Sequence, residues 1–320
     1  MLYSIDINFM RCILMNVIDK PLVSVVIPTY KREVEVLSTA VNSVLNQTYK
    51  NVEIVIVDDS PDTYEKRPEV KAYVESVNHD KVVFIQNEKN LGGSLARNRG
   101  IDASTGEYIT FLDDDDEYTL DKIEKQLRFM IENDCDMTFS NTVMCKNGKP
   151  VEVRDFKDIP AYDNESLLRY HLLYHLTGTS TYMFKAEKLR EIGGFDNALC
   201  GQEFILTLKA IEGGLKIRYM DVNDVLHTIS AEGSISFSRN KIQGEKNLYK
   251  IKSRYFPKLN KKEIRYVKFR YHAIMAIAYK RNSIYHKMAA EGVTAVITSP
   301  FDFVSECLAL LKNTVEQRTK

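Results

Sequence analysis

Four short, nearly uninterrupted apolar runs, separated by stretches of helical spacing, constrain this chain more than any other feature. They occupy residues 23–27, 53–57, 81–85 and 107–112. Rich in β-branched residues and lacking polar alternation, they read as strands covered on both faces, as parallel strands are. Between the first two runs Leu37, Ala40, Val41, Val44 and Leu45 recur at helical spacing, and a further helix closes over residues 98–101 before the fourth. The expected order is βαβαβαβ. After about Asn133 the pattern changes: 137–144 reads as a strand, 146–150 as a turn and 151–154 as the returning strand, so the sheet becomes mixed. Residues 166–176 read as a helix, 180–184 as a strand, and 203–211 as a helix stopped by Gly213-Gly214. From about Phe237 onward only helical patterns occur. The fold class is therefore α/β, a mixed and mainly parallel sheet between helices, with a helical C-terminal extension.

Bulk properties narrow the function. The 320 residues suffice for one large α/β domain with an appendage, or for two domains. The 44 basic and 44 acidic side chains cancel, which gives no overall field for nucleic acid. Five widely separated cysteines (Cys12, Cys135, Cys145, Cys200, Cys307) form no CxxC pair and suit a reducing cytoplasm better than a disulfide framework or a zinc site. Asp6, Arg11, Asp19 and Lys20 interrupt the first twenty residues, which do not read as a signal peptide. No stretch approaches the roughly 18 apolar residues needed to span a bilayer, so any membrane contact is expected to be peripheral.

In an open α/β sheet ligands collect beyond the carboxyl ends of the strands, so those ends are read first. The first run ends in Pro28-Thr29-Tyr30, the second in Asp58-Asp59-Ser60 and the fourth in Asp113-Asp114-Asp115-Asp116-Glu117. Four adjacent aspartates repel one another unless a cation offsets them, and hard carboxylate oxygens suit Mn²⁺ or Mg²⁺ shared with a diphosphate. In an extended segment Asp113 and Asp115 would face one site and Asp114 and Asp116 the other. A solvated acidic loop before the helix near Leu120 is the plain alternative. Asp59 can accept the imide N–H of uracil and Tyr30 can stack on the base, although Asp58-Asp59-Ser60-Pro61 is also good turn chemistry. In the segment 90–100 the pair Gly92-Gly93 permits close backbone approach at a helix start, and Arg97 can reach a phosphate. A dinucleotide fingerprint would need GxGxxG after the first strand, where this chain has Pro28-Thr29-Tyr30.

Together VSVVIPTYKRE from Val23, VEIVIVDDS from Val52, NLGGSLARNRGI from Asn90, GEYITFLDDDDEY from Gly106 and IGGFDNALCGQEF from Ile192 resemble the family 2 glycosyltransferases of GT-A fold. The bacterial members that build capsule, exopolysaccharide or lipopolysaccharide are the most similar. The resemblance covers about residues 21–236. It implies an N-terminal extension at 1–20, a catalytic domain at 21–236 with a donor-binding half (21–133) and an acceptor half (134–236), and a C-terminal extension at 237–320. It implies a nucleotide-sugar donor held by Pro28, Thr29, Tyr30, Asp59, Arg97, Asp113 and Asp114. The DxD motif of the family maps onto Asp113-Asp114-Asp115, with Asp115 as the metal ligand, Asp113 beside it, and Asp114 as a competing assignment. The catalytic base of the family follows a Gly-Gly-Phe-Asp-like segment as an acidic pair; here Gly201-Gln202-Glu203 stands in its place, so Glu203 is the expected base. A helix-start Glu complementing the helix dipole is the alternative reading of that residue. His227 falls where many relatives have a His or Arg near the donor phosphates, although a lone His after an apolar pair also reads as a hydrogen-bonded core residue.

The expected reaction is a single inverting displacement onto an acceptor hydroxyl, assisted by Mn²⁺ or Mg²⁺, with a glycan or lipid-linked acceptor. A sugar-nucleotide pyrophosphorylase would need a GxGxRL-like loop after the first strand, which is missing. A silent nucleotide-sugar-binding subunit would keep Tyr30, Asp59 and the aspartates yet lack a competent base. In the tail, Lys261, Lys262, Arg265, Lys268 and Arg270 lie close to Tyr266, Val267, Phe269, Tyr271, Ile274 and Ile277, a composition suited equally to peripheral attachment to an anionic leaflet and to a helical homodimerisation or packing segment.

Overall fold

The computed structural model describes residues 20–156, 158–176, 178–229 and 240–308. The expected N-terminal extension up to residue 19, Cys12, and the boundary at 236/237 lie outside the described residues. The chain forms two compact units. The described residues of the first fall within 20–164, 178–197 and 205–229, those of the second within 165–176, 198–204 and 240–308.

The first unit carries a sheet of nine strands among the described residues: β1 (Val23–Thr29), β2 (Val52–Asp58), β3 (Val82–Gln86), β4 (Tyr108–Phe111), β5 (Asp116–Tyr118), β6 (Met137–Lys146), β7 (Lys149–Arg154), β8 (Met183–Lys185) and β9 (Ile217–Thr228). Their order is β3-β2-β1-β4-β8-β6-β9-β5, with β7 paired to β6. The four strands expected to be parallel are so: β1 pairs β2 and β4, and β2 pairs β3, all in parallel. The sheet then turns mixed, because β8 runs antiparallel to both β4 and β6 while β6 and β9 run parallel.

The helices of this unit are α1 (Val34–Leu45), α2 (Arg67–Ser76), α3 (Gly93–Ala103), α4 (Lys122–Glu132) and the short α6 (Ala186–Glu191); α5 (Asn164–Tyr174) and α7 (Gln202–Glu212) each belong partly to the second unit. Alternation along β1 and β2 sends Val23, Val25, Ile27, Ile54 and Ile56 into one core with Leu37, Ala40, Val41 and Val44 of α1. Each such fully buried aliphatic contributes about 1.5–3 kcal/mol over its exposed state, which fixes the register on which the strand ends depend.

The second unit is helical. It comprises most of α5, the first turn of α7, α8 (Asn240–Ser253), α9 (Lys261–Arg281) and α10 (Tyr285–Thr298). Asn260 caps α9 through a reciprocal pair with Glu263, its side chain accepting from the Glu263 N–H while the Glu263 carboxylate accepts from the Asn260 N–H. No helix among the described residues is long and apolar enough to cross a membrane.

Candidate functional site

Parallel pairing in register delivers the ends of β1, β2 and β4 to one rim of the sheet. The Asp59 N–H donates to the Thr29 carbonyl at 2.8 Å, and the Lys31 N–H to Ser60 Oγ at 2.8 Å, so the first two strand ends are laced together. Pro28 and Thr29 close β1, and the Tyr30 ring beyond them is 45% exposed. A tyrosine ring left open at a strand end offers an apolar face with a polar tip.

Asp59 is buried and does more than the turn chemistry of its sequence suggests. Its Oδ1 accepts from Asn87 Nδ2 and the Leu91 N–H, and its Oδ2 from the Gly92 N–H, each at 2.8 Å. This carboxylate therefore fastens the loop that leads into α3, and Oδ2 retains a further lone pair. Neighbouring Asp58 is structural: it accepts from the Ser60 N–H, Gln86 Nε2 and Arg67 Nε.

The aspartate run is not extended. The Asp116 N–H donates to the Asp113 carbonyl at 3.0 Å, so the chain turns across Asp114 and Asp115 before entering β5. The expected alternation, with Asp113 and Asp115 on one side and Asp114 and Asp116 on the other, is corrected by that turn. Asp114 is buried: its Oδ2 accepts from Thr29 Oγ1 at 2.7 Å and its Oδ1 from Arg32 Nη2 at 2.7 Å. Arg32 also reaches Asp115 Oδ2 at 3.0 Å, and Arg97 pairs with Asp113. Asp116, at the start of β5, accepts from Ser180 Oγ at 2.9 Å and lies 2.7 Å from His227 Nδ1 on β9. The charge compensation that the sequence argument assigned wholly to a divalent metal is thus shared by Arg32, Arg97 and His227.

Electrostatics follow from this packing. Burial raises the Asp115 carboxyl, with Arg32 opposing and the charges of Asp114 and Asp113 adding to the rise. Burial likewise lifts Asp116 to about 6, against its hydrogen bond from His227. The Asp116 hydrogen bond raises His227 in turn, over the opposing effect of burial. Burial works against charge on Arg32, but its hydrogen bonds and attraction to Asp114 and Asp115 outweigh it.

The same turn tests whether Mn²⁺ or Mg²⁺ suits it. Among the described residues no group of three or more His, Cys, Asp or Glu is arranged to hold a metal unaided. An ion that arrives with a diphosphate needs only one or two carboxylates. Asp115 and Asp113 offer these, their side chains 25% and 33% exposed, and the repulsion from Asp114 and Asp113 that adds to the effect of burial on Asp115 is what an incoming cation relieves. The residues fit such an ion.

Arg97, on α3, stands with its guanidinium 5.6 Å from the Phe195 ring centroid, beside its partner Asp113. Glu203 is not among these residues: it lies in the first turn of α7, in the second unit. Arg32 and Ser180 were not singled out from sequence, and Asp116 was read only as a member of the acidic run facing away from the site. Arg32 follows β1 by three residues, so the strand-end rule that selected Tyr30 could have found it.

The profile of Glycosyl transferase family 2 matches residues 24–191. Over 199 residues the chain is 30% identical to the uncharacterized glycosyltransferase MJ1057 of Methanocaldococcus jannaschii, spanning 62% of this chain and 67% of that protein. It is 33% identical over 199 residues to the amylovoran biosynthesis glycosyltransferase AmsB of Erwinia amylovora, spanning 60% and 65% of the two, just under two thirds of AmsB. Against the putative colanic acid biosynthesis glycosyl transferase WcaA of Escherichia coli it is 26% identical over 291 residues, spanning 86% and 98%. Among solved structures it is similar to S. aureus TarS 1-349 in complex with UDP-GlcNAc (TM-score 0.56, 19% identity, 81% of this chain and 72% of that one). It is also similar to the mannosyltransferase PcManGT from Pyrobaculum calidifontis in complex with GDP-Man and Mn²⁺ (TM-score 0.57, 16% identity, 94% and 88%). At these identities the likeness is one of fold, and the fold is GT-A.

Proposed function

The chain belongs to glycosyl transferase family 2, and on that footing we propose that it moves a sugar from a UDP-sugar to an acceptor hydroxyl with inversion at the anomeric carbon. The observation that carries this reading is the rim itself, where an exposed Tyr30 ring, the Asp59 carboxylate and a partly exposed acidic turn end three adjacent parallel strands. Tyr30 stacks on the base, and Asp59 Oδ2 takes the imide N–H while its other bonds hold the loop still. Pro28 and Thr29 shape the floor, and Arg97 meets the donor phosphates. Asp114, with Thr29 and Arg32 on its two oxygens, is a brace rather than a ligand, which favours Asp115 with Asp113 as the residues that hold Mn²⁺ or Mg²⁺. The bound ion supplies Lewis-acid stabilisation of the departing diphosphate.

Glu203 is the general base in this reading. Its carboxylate takes the acceptor hydroxyl proton as that oxygen forms the new bond to the anomeric carbon and the bond to the diphosphate breaks. One in-line displacement inverts the centre, and no covalent intermediate arises. The names of AmsB and WcaA support a place in bacterial surface polysaccharide synthesis. In this reading the acceptor is a glycan or lipid-linked sugar met in the cytoplasm or at its membrane face. The helices of the second unit are the proposed point of peripheral membrane attachment or of homodimerisation.

Calorimetry of UDP with and without Mn²⁺ tests the donor side. UDP should bind more tightly with the metal, and Asp115→Asn should remove that linkage. UDP affinity indifferent to Mn²⁺ in both proteins refutes the metal assignment.

A further inference from the structure

The segment that carries Glu203 is held from behind by the helical extension. Along α8, Gly244, Leu248 and Lys252 recur every four residues and so lie on one face. They meet, in order, Cys200, Gly201 and Phe204. A Cβ on Gly244 would collide with the Cys200 Sγ, stand 2.9 Å from Cys200 Cβ, closer than real Cβ atoms approach, and lie a tight 3.2 Å from the Cys200 backbone N, so the helix comes this near only because position 244 is glycine. Gly201, at φ +72°, lies against the Leu248 side chain; a Cβ there would be 3.2 Å from Leu248 Cδ2. Lys252 Nζ stands 5.1 Å from the Phe204 ring centroid and hydrogen-bonds His175 Nε2.

α5 closes the other side. The His171 ring stacks on Phe204 with centroids 4.1 Å apart and an interplanar angle of 18°. Its Nδ1 accepts from the Leu176 N–H at 3.0 Å, so the ring proton resides on Nε2 and is donated to the Phe204 carbonyl at 2.9 Å. Both ring nitrogens are thereby spent on backbone. Glu203 is the residue between Gly201-Gln202 and this doubly held Phe204, and Lys241, one turn before Glu245 and paired with it at 2.6 Å, lies within electrostatic reach of the Glu203 carboxylate.

We infer that α8 is a splint for the base: the Gly244-Leu248-Lys252 face and the His171 clamp fix the first turn of α7 so that the Glu203 carboxylate is presented in one place. The C-terminal extension thus serves catalysis through positioning, apart from any membrane or dimer role. The inference rests on the reading of Glu203 as base. It has physical weight because misplacement of a reacting group by about 1 Å costs on the order of a hundredfold in rate.

The test uses the full chain, with UDP release from a mixture of UDP-hexoses as turnover, Mn²⁺-dependent UDP calorimetry as binding, and amide hydrogen exchange at 202–206 as a readout independent of turnover. Gly244→Ala should cut kcat by roughly tenfold or more, in the range of small positional errors, quicken exchange at 202–206 and leave UDP affinity unchanged. Adding Cys200→Gly should relieve the clash and restore both rate and protection. Turnover of Gly244→Ala equal to wild type overturns the splint, as does a fall in UDP affinity matching the fall in rate, since that marks general damage. Glu203→Gln run in parallel separates the two ideas: if it turns over normally the base assignment fails, and the exchange data still decide whether α8 holds the turn.

Discussion

Arg32→Gln removes the cation that bridges Asp114 and Asp115 and tests the account of the acidic turn. The guanidinium is 2.7 Å from the Asp114 carboxylate and 3.0 Å from that of Asp115; the Asp114 side chain is only 8% exposed, that of Arg32 31%. Breaking a buried pair by deleting one partner costs about 3–5 kcal/mol, whereas exposed pairs contribute about 0–1. With Arg32 nearly one-third exposed, and with Thr29 still donating to Asp114, about 2 kcal/mol is expected, a fall in Tm of roughly 4–8 °C. The same change frees Asp115 from a competitor, so Mn²⁺ with UDP should raise the Tm of the variant more than that of wild type. Differential scanning calorimetry of both proteins, with and without Mn²⁺ and UDP, measures the two effects together. A Tm within about 1 °C of wild type, or an equal Mn²⁺·UDP shift in both proteins, refutes the reasoning.

Asp59→Ala should weaken UDP binding and relax the choice among UDP, GDP and CDP, because it removes the imide acceptor and loosens the loop at Leu91 and Gly92; equal wild-type affinity for all three nucleotides would contradict it. Tyr30→Ala should weaken all three by a similar factor, as loss of stacking does, typically about 1–3 kcal/mol per base. Burial pushes His171 down to about 3, and burial together with Lys252 lowers His175 as well, so both are neutral in the fold while the unfolded chain takes up protons below about 6.5. Their contribution is fully present above that pH and is lost as pH falls towards 3, by up to about 1.4 kcal/mol per pH unit for each group. Urea titrations from pH 7 to pH 4 should show a shallower loss in His171→Gln, and an identical slope would show that the ring is not the group responsible. Vesicles containing anionic lipid should carry the full chain upward in a density gradient and neutral vesicles should not; equal behaviour removes the membrane attachment.

The half of the sheet built on β1 to β4 was legible because parallel strands covered on both faces leave continuous β-branched runs, and the helices between them bury a stripe of regular period. β9 was not, since Asp221, Asn223 and Asp224 break its apolar pattern while satisfying Asn141 and Ser140 of β6. β5 was missed because it has three residues and begins inside the acidic run. The expected strand at 180–184 begins only at Met183, a 3₁₀ turn over Thr179–Thr181 taking its first part and aiming Ser180 at Asp116. Strand ends announced Tyr30, Asp59 and the aspartates, yet period-two reasoning cannot see a turn closed by one backbone hydrogen bond, so the facing of Asp113 to Asp116 had to come from structure. The His171 clamp was beyond reach for a different reason: both its hydrogen bonds go to backbone, the Leu176 N–H and the Phe204 carbonyl, groups that carry no sequence signal.

The central claim, that one chain binds a UDP-sugar at the strand ends and deprotonates an acceptor with Glu203, is met most directly by comparing Glu203→Gln with Asp115→Asn for UDP-sugar turnover and Mn²⁺-dependent UDP binding. Glutamine keeps the shape and reach of glutamate but cannot take a proton at neutral pH. Glu203→Gln should bind UDP as wild type does and turn over roughly 10²- to 10⁴-fold more slowly, whereas Asp115→Asn should lose binding and turnover together. Turnover of Glu203→Gln near the wild-type rate would contradict the account and move the base to another carboxylate, Asp196 being the first to try.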